Sequence, residues 1–382
     1  MRAQRRVSLG GRAAVAAAAL LAASACTRQY LDPRVFVQPR PDVGDEDGNA
    51  VLRVRSLGVQ GFVIAYRDVA VLTPPLFSNP SLGAVLGKAP LPVKTEAISA
   101  SLRPEWLADV RAVLVGHSHY DHGMDLPHVW SRYAPGATVY TSHVGERLFE
   151  AAGIDPDHVV DVTAVPSPDG ATRDAVDYRS CLSRPKEGCV YAAGQPGDWI
   201  EPPGTAGRLR VRALCSRHSP QFAGLPVAFQ GCAPKRLPPR RAEDWVLGDT
   251  YAWLVEFLDD AGAVAFRVYY QDSVADPAFG LVPSALPARG AVDVALLCAG
   301  AWDQAEGNPE AILANTCPRL AVFGHWEDFF EPWDGELKTL GSVDLRELDR
   351  RAAAPLQCDG GSAWTGRRFF AVHGGLFVVP PR

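Results

Sequence analysis

Three of the chain's nine histidines and one carboxylate fall within His117-Ser118-His119-Tyr120-Asp121-His122. Imidazole and carboxylate suit zinc, manganese and iron. No cysteine stands nearby, which fits an open catalytic site better than a closed structural one. The apolar stretch Ala112–Val115 reads as a buried strand running into the cluster. Alternation along extended backbone places His117 and His119 on one side, where both can hold one ion. Asp121 and His122 follow where the chain turns toward a helix and can face a second ion. A solvated, accidentally His-rich loop is the competing reading, and so dense a cluster argues against it.

His-x-His-x-Asp-His after a hydrophobic strand resembles the signature of the metallo-β-lactamase superfamily. The wording His-Ser-His-Tyr-Asp-His-Gly-Met-Asp is most similar to the branch of ascorbate-phosphate lactonase and N-acylphosphatidylethanolamine phospholipase D. Three later segments match in the family's order. Leu-Cys-Ser-Arg-His-Ser-Pro-Gln-Phe places His218 as the third ligand of the first metal. Tyr269-Tyr270-Gln271-Asp272-Ser273 places Asp272 as the carboxylate bridging both metals. Phe323-Gly324-His325-Trp326 places His325 as the last ligand of the second, after the helix start Asn308-Pro309-Glu310-Ala311.

The resemblance spans Gly61 to Phe330. It implies an α/β fold, an αββα four-layer sandwich of two mixed sheets face to face with helices outside. It also implies two divalent ions, zinc first with manganese or iron as alternatives, sharing a hydroxide held by Asp272 and oriented by Asp121. Hydrolysis of a phosphoester or phosphodiester, or of a lactone or other acyl substrate, follows from it. One departure stands out: Pro74 occupies the place of an aspartate that supports the ligands in the family, and such partners tune metal affinity. Asp125 is the nearest replacement in sequence. The competing class is a non-catalytic metal-binding or interaction lipoprotein that keeps the fold.

Other tempting residues read as structural: His128 on a helix, His143 at a helix start, His158 at a strand edge and His373 in a terminal turn. Trp326 and Phe329-Phe330 suit a pocket wall or the core equally. Arg217 beside His218 could meet an anionic group, and Ser118 lacks a general base.

The elements that must position these residues are mostly short β-branched runs. Strands are expected at Val51–Val54, Gly61–Tyr66, Val69–Leu72, Ala112–Val115, Ala137–Tyr140 and His158–Val162, and then at Leu209–Leu214, Ala252–Leu258, Val264–Tyr270, Val292–Leu297, Leu320–Phe323, Phe370–Val372 and Leu376–Val379. Helices are expected at Asp125–Ala134, at Ser142–Ala152 with Ser142 as N-cap, at Pro309–Asn315 and at Val343–Ala353. From Pro74-Pro75 to about Pro92 the chain reads as loop. Residues 164–207 read as an insertion in a domain spanning 49–382.

The N-terminus carries four arginines before the apolar run Ala13–Ala25, the pattern of a secretory signal over residues 1–25. The run is too short to span a bilayer. Ala23-Ser24-Ala25-Cys26 resembles a bacterial lipobox, so Cys26 is the expected lipidation site, with 26–48 as a tether. The expected location is periplasmic or outer-surface, membrane-anchored, with a small-molecule or lipid-derived substrate. Without residues 1–25 the chain holds 34 Lys and Arg against 43 Asp and Glu, and an acidic balance of about −9 disfavours nucleic-acid binding. Of the eight cysteines none forms a Cys-x-x-Cys pair, and export favours disulfides. The expected pairs are Cys181 with Cys189 and Cys215 with Cys232. The odd number beyond Cys26 implies at least one free thiol or an unexpected connectivity.

Overall fold

A computed structural model describes residues 51–162, 199–220, 229–231, 234–277, 279–283 and 292–382. The signal segment, Cys26, the tether and most of the 164–207 insertion lie outside these residues. So do Cys181, Cys189 and Cys232.

Two sheets carry the fold. The first has the order β13-β1-β2-β3-β4-β5-β6 and the second β12-β11-β10-β9-β8-β7. In the first half of the chain these are β1 Leu52–Gly58, β2 Gly61–Tyr66, β3 Val69–Thr73, β4 Val110–Leu114, β5 Thr138–Thr141 and β6 Val159–Asp161. In the second they are β7 Leu209–Ser216, β8 Thr250–Leu258, β9 Val264–Gln271, β10 Val294–Cys298, β11 Leu320–Gly324 and β12 Arg367–Phe370. β13, Leu376–Val379, returns to pair with β1.

Each half repeats one pairing pattern. Three strands run antiparallel, and three more join in parallel. Parallel strands need crossovers, and helices supply several of them. α1 Leu82–Leu86, α2 Thr95–Ser101 and α3 Pro104–Leu107 lie between β3 and β4; α4 Tyr120–Gly123 and α5 Leu126–Tyr133 lie between β4 and β5. α6 His143–Ala151 precedes β6, α7 Glu310–Thr316 precedes β11 and α8 Leu345–Ala352 precedes β12.

The core falls into three layers, which fixes the sandwich. Between the sheets lie Val54, Phe62, Ile64, Val71 and Leu114 from one side and Val211, Trp253, Val255, Val268 and Leu296 from the other. Outside the first sheet, Val113 and Val139 pack with Ile98, Leu126, Val129, Leu148 and Phe149 of the helices. Outside the second, Leu254, Leu297 and Phe323 pack with Ile312, Leu313, Leu345 and Leu348. The αββα arrangement is therefore as the sequence predicts. β8 is buried along its whole length, which explains why it reads as a near-continuous apolar run rather than an alternating one. Its single acid, Glu256, is matched by Arg210 and Arg267 at 2.5 and 2.7 Å.

Some boundaries differ from the sequence expectation. The stretch before Pro92 is not all loop: it holds α1, capped by Ser81 Oγ accepting from the Ala84 N–H at 3.3 Å. α2 and α3 were also not expected. Helices of four to seven residues show too few turns for periodicity to mark them. β12 runs Arg367–Phe370, starting three and ending two residues before the expected Phe370–Val372. The described end of the insertion attaches to the second sheet through an Ile200–Val211 bridge. Gly61 lets Pro74-Pro75 leave β3 close over β2, because a Cβ there would stand 2.5 Å from the Pro75 Cα. Among the described residues no helix is long and apolar enough to cross a membrane.

Candidate metal centre

All four chemical stations sit at C-terminal ends of strands. His117 to His122 follow β4, His218 follows β7, Asp272 follows β9 and His325 follows β11. In open α/β sheets ligands collect at such ends. The loop after β4 is held on its β8 side by three bonds. The Tyr251 N–H donates to the Gly116 carbonyl at 2.8 Å, Trp253 Nε1–H to the Val115 carbonyl at 3.1 Å, and the Ser118 N–H to the Leu247 carbonyl at 3.2 Å. His119 is then the extended residue before α4, which carries Asp121 and His122 on its single turn.

Every expected ligand arrives. His117, His119 and His218 form one set whose donor atoms lie within 4.8 Å of one another; Asp121, His122 and His325 form a second. His117, His122 and Asp272 form a third, overlapping set that links the two. His117 Nε2 is 3.1 Å from His119 Nδ1, as the alternation argument requires. Asp272 Oδ2 accepts from the His117 N–H at 3.0 Å and lies 3.2 Å from His117 Nδ1 and 3.8 Å from His122 Nδ1. Asp121 Oδ2 lies 3.6 Å from His122 Nε2 and 3.4 Å from His325 Nε2.

These donors fit divalent ions, and the fit rests on their burial. His117 Nδ1, His119 Nε2, His122 Nδ1, His325 Nδ1 and Asp272 Oδ1 are buried without a hydrogen-bond partner. Unmatched buried polar atoms cost free energy, and cations held among the grouped donors would offset part of that cost, each ring offering one nitrogen. The set is nitrogen and oxygen alone, which suits zinc, manganese or iron.

The electrostatics agree. Burial, reinforced by neighbouring imidazoles, holds His117 and His119 well below the usual range and His122 at about 3, so all three are neutral and ready to coordinate. His218 is lowered chiefly by burial. For Asp121 burial opposes ionisation, but His122 and His325 outweigh it and hold the carboxyl well below its ordinary value. For Asp272 burial wins and raises it to about 6, against the pull of His122 and His218.

Asp125 does not take the role of the missing aspartate. Its carboxylate accepts from the N–H groups of Phe77 and Ser78 at 2.7 and 2.8 Å and from Ser78 Oγ at 2.5 Å. It ties the segment after Pro74-Pro75 to the start of α5 instead. The His218 ring finds its support in the Ser219 carbonyl, 2.7 Å from Nδ1.

The residues that sequence left between two readings now separate. Trp326 is core, fully buried and donating from Nε1 to the Ala371 carbonyl at 2.7 Å. Phe329 stacks edge-on to His325 with centroids 5.1 Å apart and leans on Phe330. Phe229, which the sequence reading missed, stands edge-on to His119 at 6.1 Å. It follows an apparently featureless stretch, so no pattern marked it. Arg217 lies over the Phe279 ring at 3.9 Å. His158 packs on Trp130, and His373 between Phe77 and Trp333, both structural as expected. His143 sits 3.2 Å from Glu146 and 3.3 Å from Asp161.

Cys215 is disulfide-bonded, with its expected pairing to Cys232 outside the described residues. Cys317 and Cys358 form a disulfide that was not expected, and Cys298 is an unpaired buried thiol.

No protein-family model matches the sequence, and no curated protein matches it. Among solved structures the chain is similar to a metallo hydrolase from Ignicoccus hospitalis, at 12% identity and TM-score 0.43, over 86% of this chain and 98% of that one. It is similar to an isothiocyanate hydrolase from Delia radicum gut bacteria, at 12% and 0.42, over 86% and 98%. It is also similar to a diiron β-hydroxylase from Streptomyces venezuelae, at 13% and 0.42, over 90% and 55%. Likenesses this distant decide neither activity nor substrate. The fold class stands on strand pairing and layering, and the functional reading on the geometry of the donors.

Proposed function

We propose that this chain is a metal-dependent hydrolase of the metallo-β-lactamase superfamily, acting on a phosphoester or phosphodiester or on a lactone or other acyl substrate. The observation that carries the reading is the paired donor sets, His117-His119-His218 and Asp121-His122-His325, with Asp272 reaching into both. Two divalent ions there, zinc in the first instance, would polarise a carbonyl or phosphoryl oxygen and make water a nucleophile near neutral pH. Asp272 holds the two sets in register. Asp121, kept ionised, is positioned to orient a water molecule. Phe229 and Phe329 flank ligand rings of opposite sets, which suits a substrate with an apolar portion.

Export with a lipid at Cys26 is part of the same proposal. The Cys317–Cys358 disulfide and the bonded Cys215 support an oxidising compartment, and a surface anchor would bring lipid-derived substrates within reach.

The test is a metal-reconstituted turnover screen against diester, lactone and amide substrates, with His119→Ala as control. The expected result is turnover in one class, reduced by at least about 10- to 100-fold in the variant, the loss that removing even an outer partner of a metal ligand causes. Equal turnover by both proteins would refute the site.

A further inference from the structure

The turn between β1 and β2, remote in sequence from every ligand, touches the backbone of the last two stations. The Val59 carbonyl accepts from the His325 N–H at 2.6 Å, and the Val59 N–H donates to Glu327 Oε1 at 2.7 Å. Gln60 Nε2 donates to the carbonyl of Gln271, the residue before Asp272, at 2.8 Å. The Gln60 carbonyl is itself fixed by Thr73 Oγ1 at 2.9 Å and by the Tyr270 hydroxyl at 3.3 Å. Val59 and Gln60 are both buried.

The backbone on both sides is strained. Val59 has φ +51° and His325 φ +58°, a left-handed conformation that is unusual for any side chain and a real outlier for a β-branched one. Such residues persist only where their surroundings over-determine them, and they gather at functional sites. Here each bonds the other's segment. Gly324 leaves the room required, since a Cβ there would stand 2.3 Å from Gln60 Oε1 and 2.9 Å from the Val59 carbonyl.

We infer that this turn is a brace for the second half of the metal centre, with Glu327 its latch and Glu327 and Gln60 positioning residues. Glu327 fixes Val59, and Val59 fixes the backbone of His325, so the imidazole meets Asp121 and His122 without searching. Gln60 does the same for the strand end that presents Asp272. The inference rests on the two-ion reading above and adds to it residues that coordinate nothing.

The experiment uses the full chain and the variants Glu327→Ala, Glu327→Gln and Gln60→Ala. In the metal-free protein, amide exchange should lose protection at Val59 and His325 in E327A and keep it in E327Q, which retains an oxygen acceptor. In zinc titrations the wild type should bind two equivalents. E327A should weaken one of them by about 10- to 100-fold, the range for loss of an orienting partner, and leave the other unchanged. E327Q should restore affinity to within a few-fold, and Q60A should weaken binding through Asp272. If E327A fails to fold, Glu327→Asp, one methylene shorter, should show the same selective loss. Unchanged exchange and affinity in E327A, or equal weakening of both equivalents, would overturn the brace. A wild-type chain that binds no zinc would overturn the two-ion reading, and the exchange data would then show whether the turn still orders His325.

Discussion

Gly116 lies directly beneath the carboxylate of Asp272: a Cβ built on Gly116 would stand 2.1 Å from Oδ1 and 2.3 Å from Oδ2. The residue before the first ligand therefore makes room for the carboxylate that joins both donor sets, 156 positions later in the chain. Gly116→Ala should displace Asp272 while leaving the sandwich core untouched. The expected outcome is a normally folded protein whose affinity for zinc drops about 10- to 100-fold, the range seen when metal-site support is lost. Calorimetric titration beside circular dichroism checks it. Full metal affinity in the variant would show that Asp272 is not needed where it stands.

The metal-free protein should lose stability on mild acidification. His117, His119, His122 and His218 all protonate below their ordinary value of 6.5, chiefly because they are buried. The unfolded chain therefore takes up protons near pH 6.5 that the folded chain refuses, and stability falls as pH drops below that value. Asp272 and Glu327 act with the opposite sign: raised by burial from 3.8 to about 6 and from 4.5 to about 7, they favour the folded state at low pH and lose that contribution as pH rises through those values. Four imidazoles outweigh two carboxyls. Melting temperature after chelation should thus decline steadily from pH 7 to 5, and bound zinc should suppress the decline until the ions are lost. A melting temperature that is flat or rises on acidification would contradict the buried, neutral cluster.

Much of this centre is legible in sequence because its ligands follow apolar strands. β4, β7, β9 and β11 are short β-branched or aromatic runs that mark their own ends, and His117, His218, Asp272 and His325 fall just beyond them. What supports the ligands is not legible. Val59, Gln60 and Glu327 act through backbone bonds across more than 200 residues, and nothing in their local pattern announces that. Phe229 and Phe329 reach the rings of His119 and His325 only through tertiary folding. Pro74 drew attention to a missing carboxylate, yet the nearest acid proved to serve a different segment.

That segment gives the next prediction. Asp125 is buried and answers three donors on Phe77 and Ser78. Removing it leaves two backbone N–H groups and a hydroxyl unmatched, at about 1–3 kcal/mol for each buried group left so. Asp125→Ala should therefore lower stability by about 3 kcal/mol or more in denaturant unfolding. The zinc affinity of the folded fraction should change less than in G116A, because Asp125 bonds no ligand ring. A loss of zinc affinity as large as that of G116A would instead assign Asp125 to the support of the metal centre.

The Cys317–Cys358 disulfide closes a loop of 41 residues between the end of α7 and the segment after α8. Chain entropy alone assigns a loop of that length about 4 kcal/mol. The double variant Cys317→Ser, Cys358→Ser should lower stability by up to that amount, with α7 and α8 held thereafter by Ile312, Leu313, Leu345 and Leu348 against the second sheet. Glu310 and Arg351 link the two helices through paired hydrogen bonds, one at 2.7 Å, so the helices should stay docked and His325 in place. The expected pattern is thus a lower melting temperature with zinc stoichiometry unchanged. Loss of the His325-containing set together with the disulfide would show that the crosslink, rather than the apolar layer, fixes the strand end that carries the ligand.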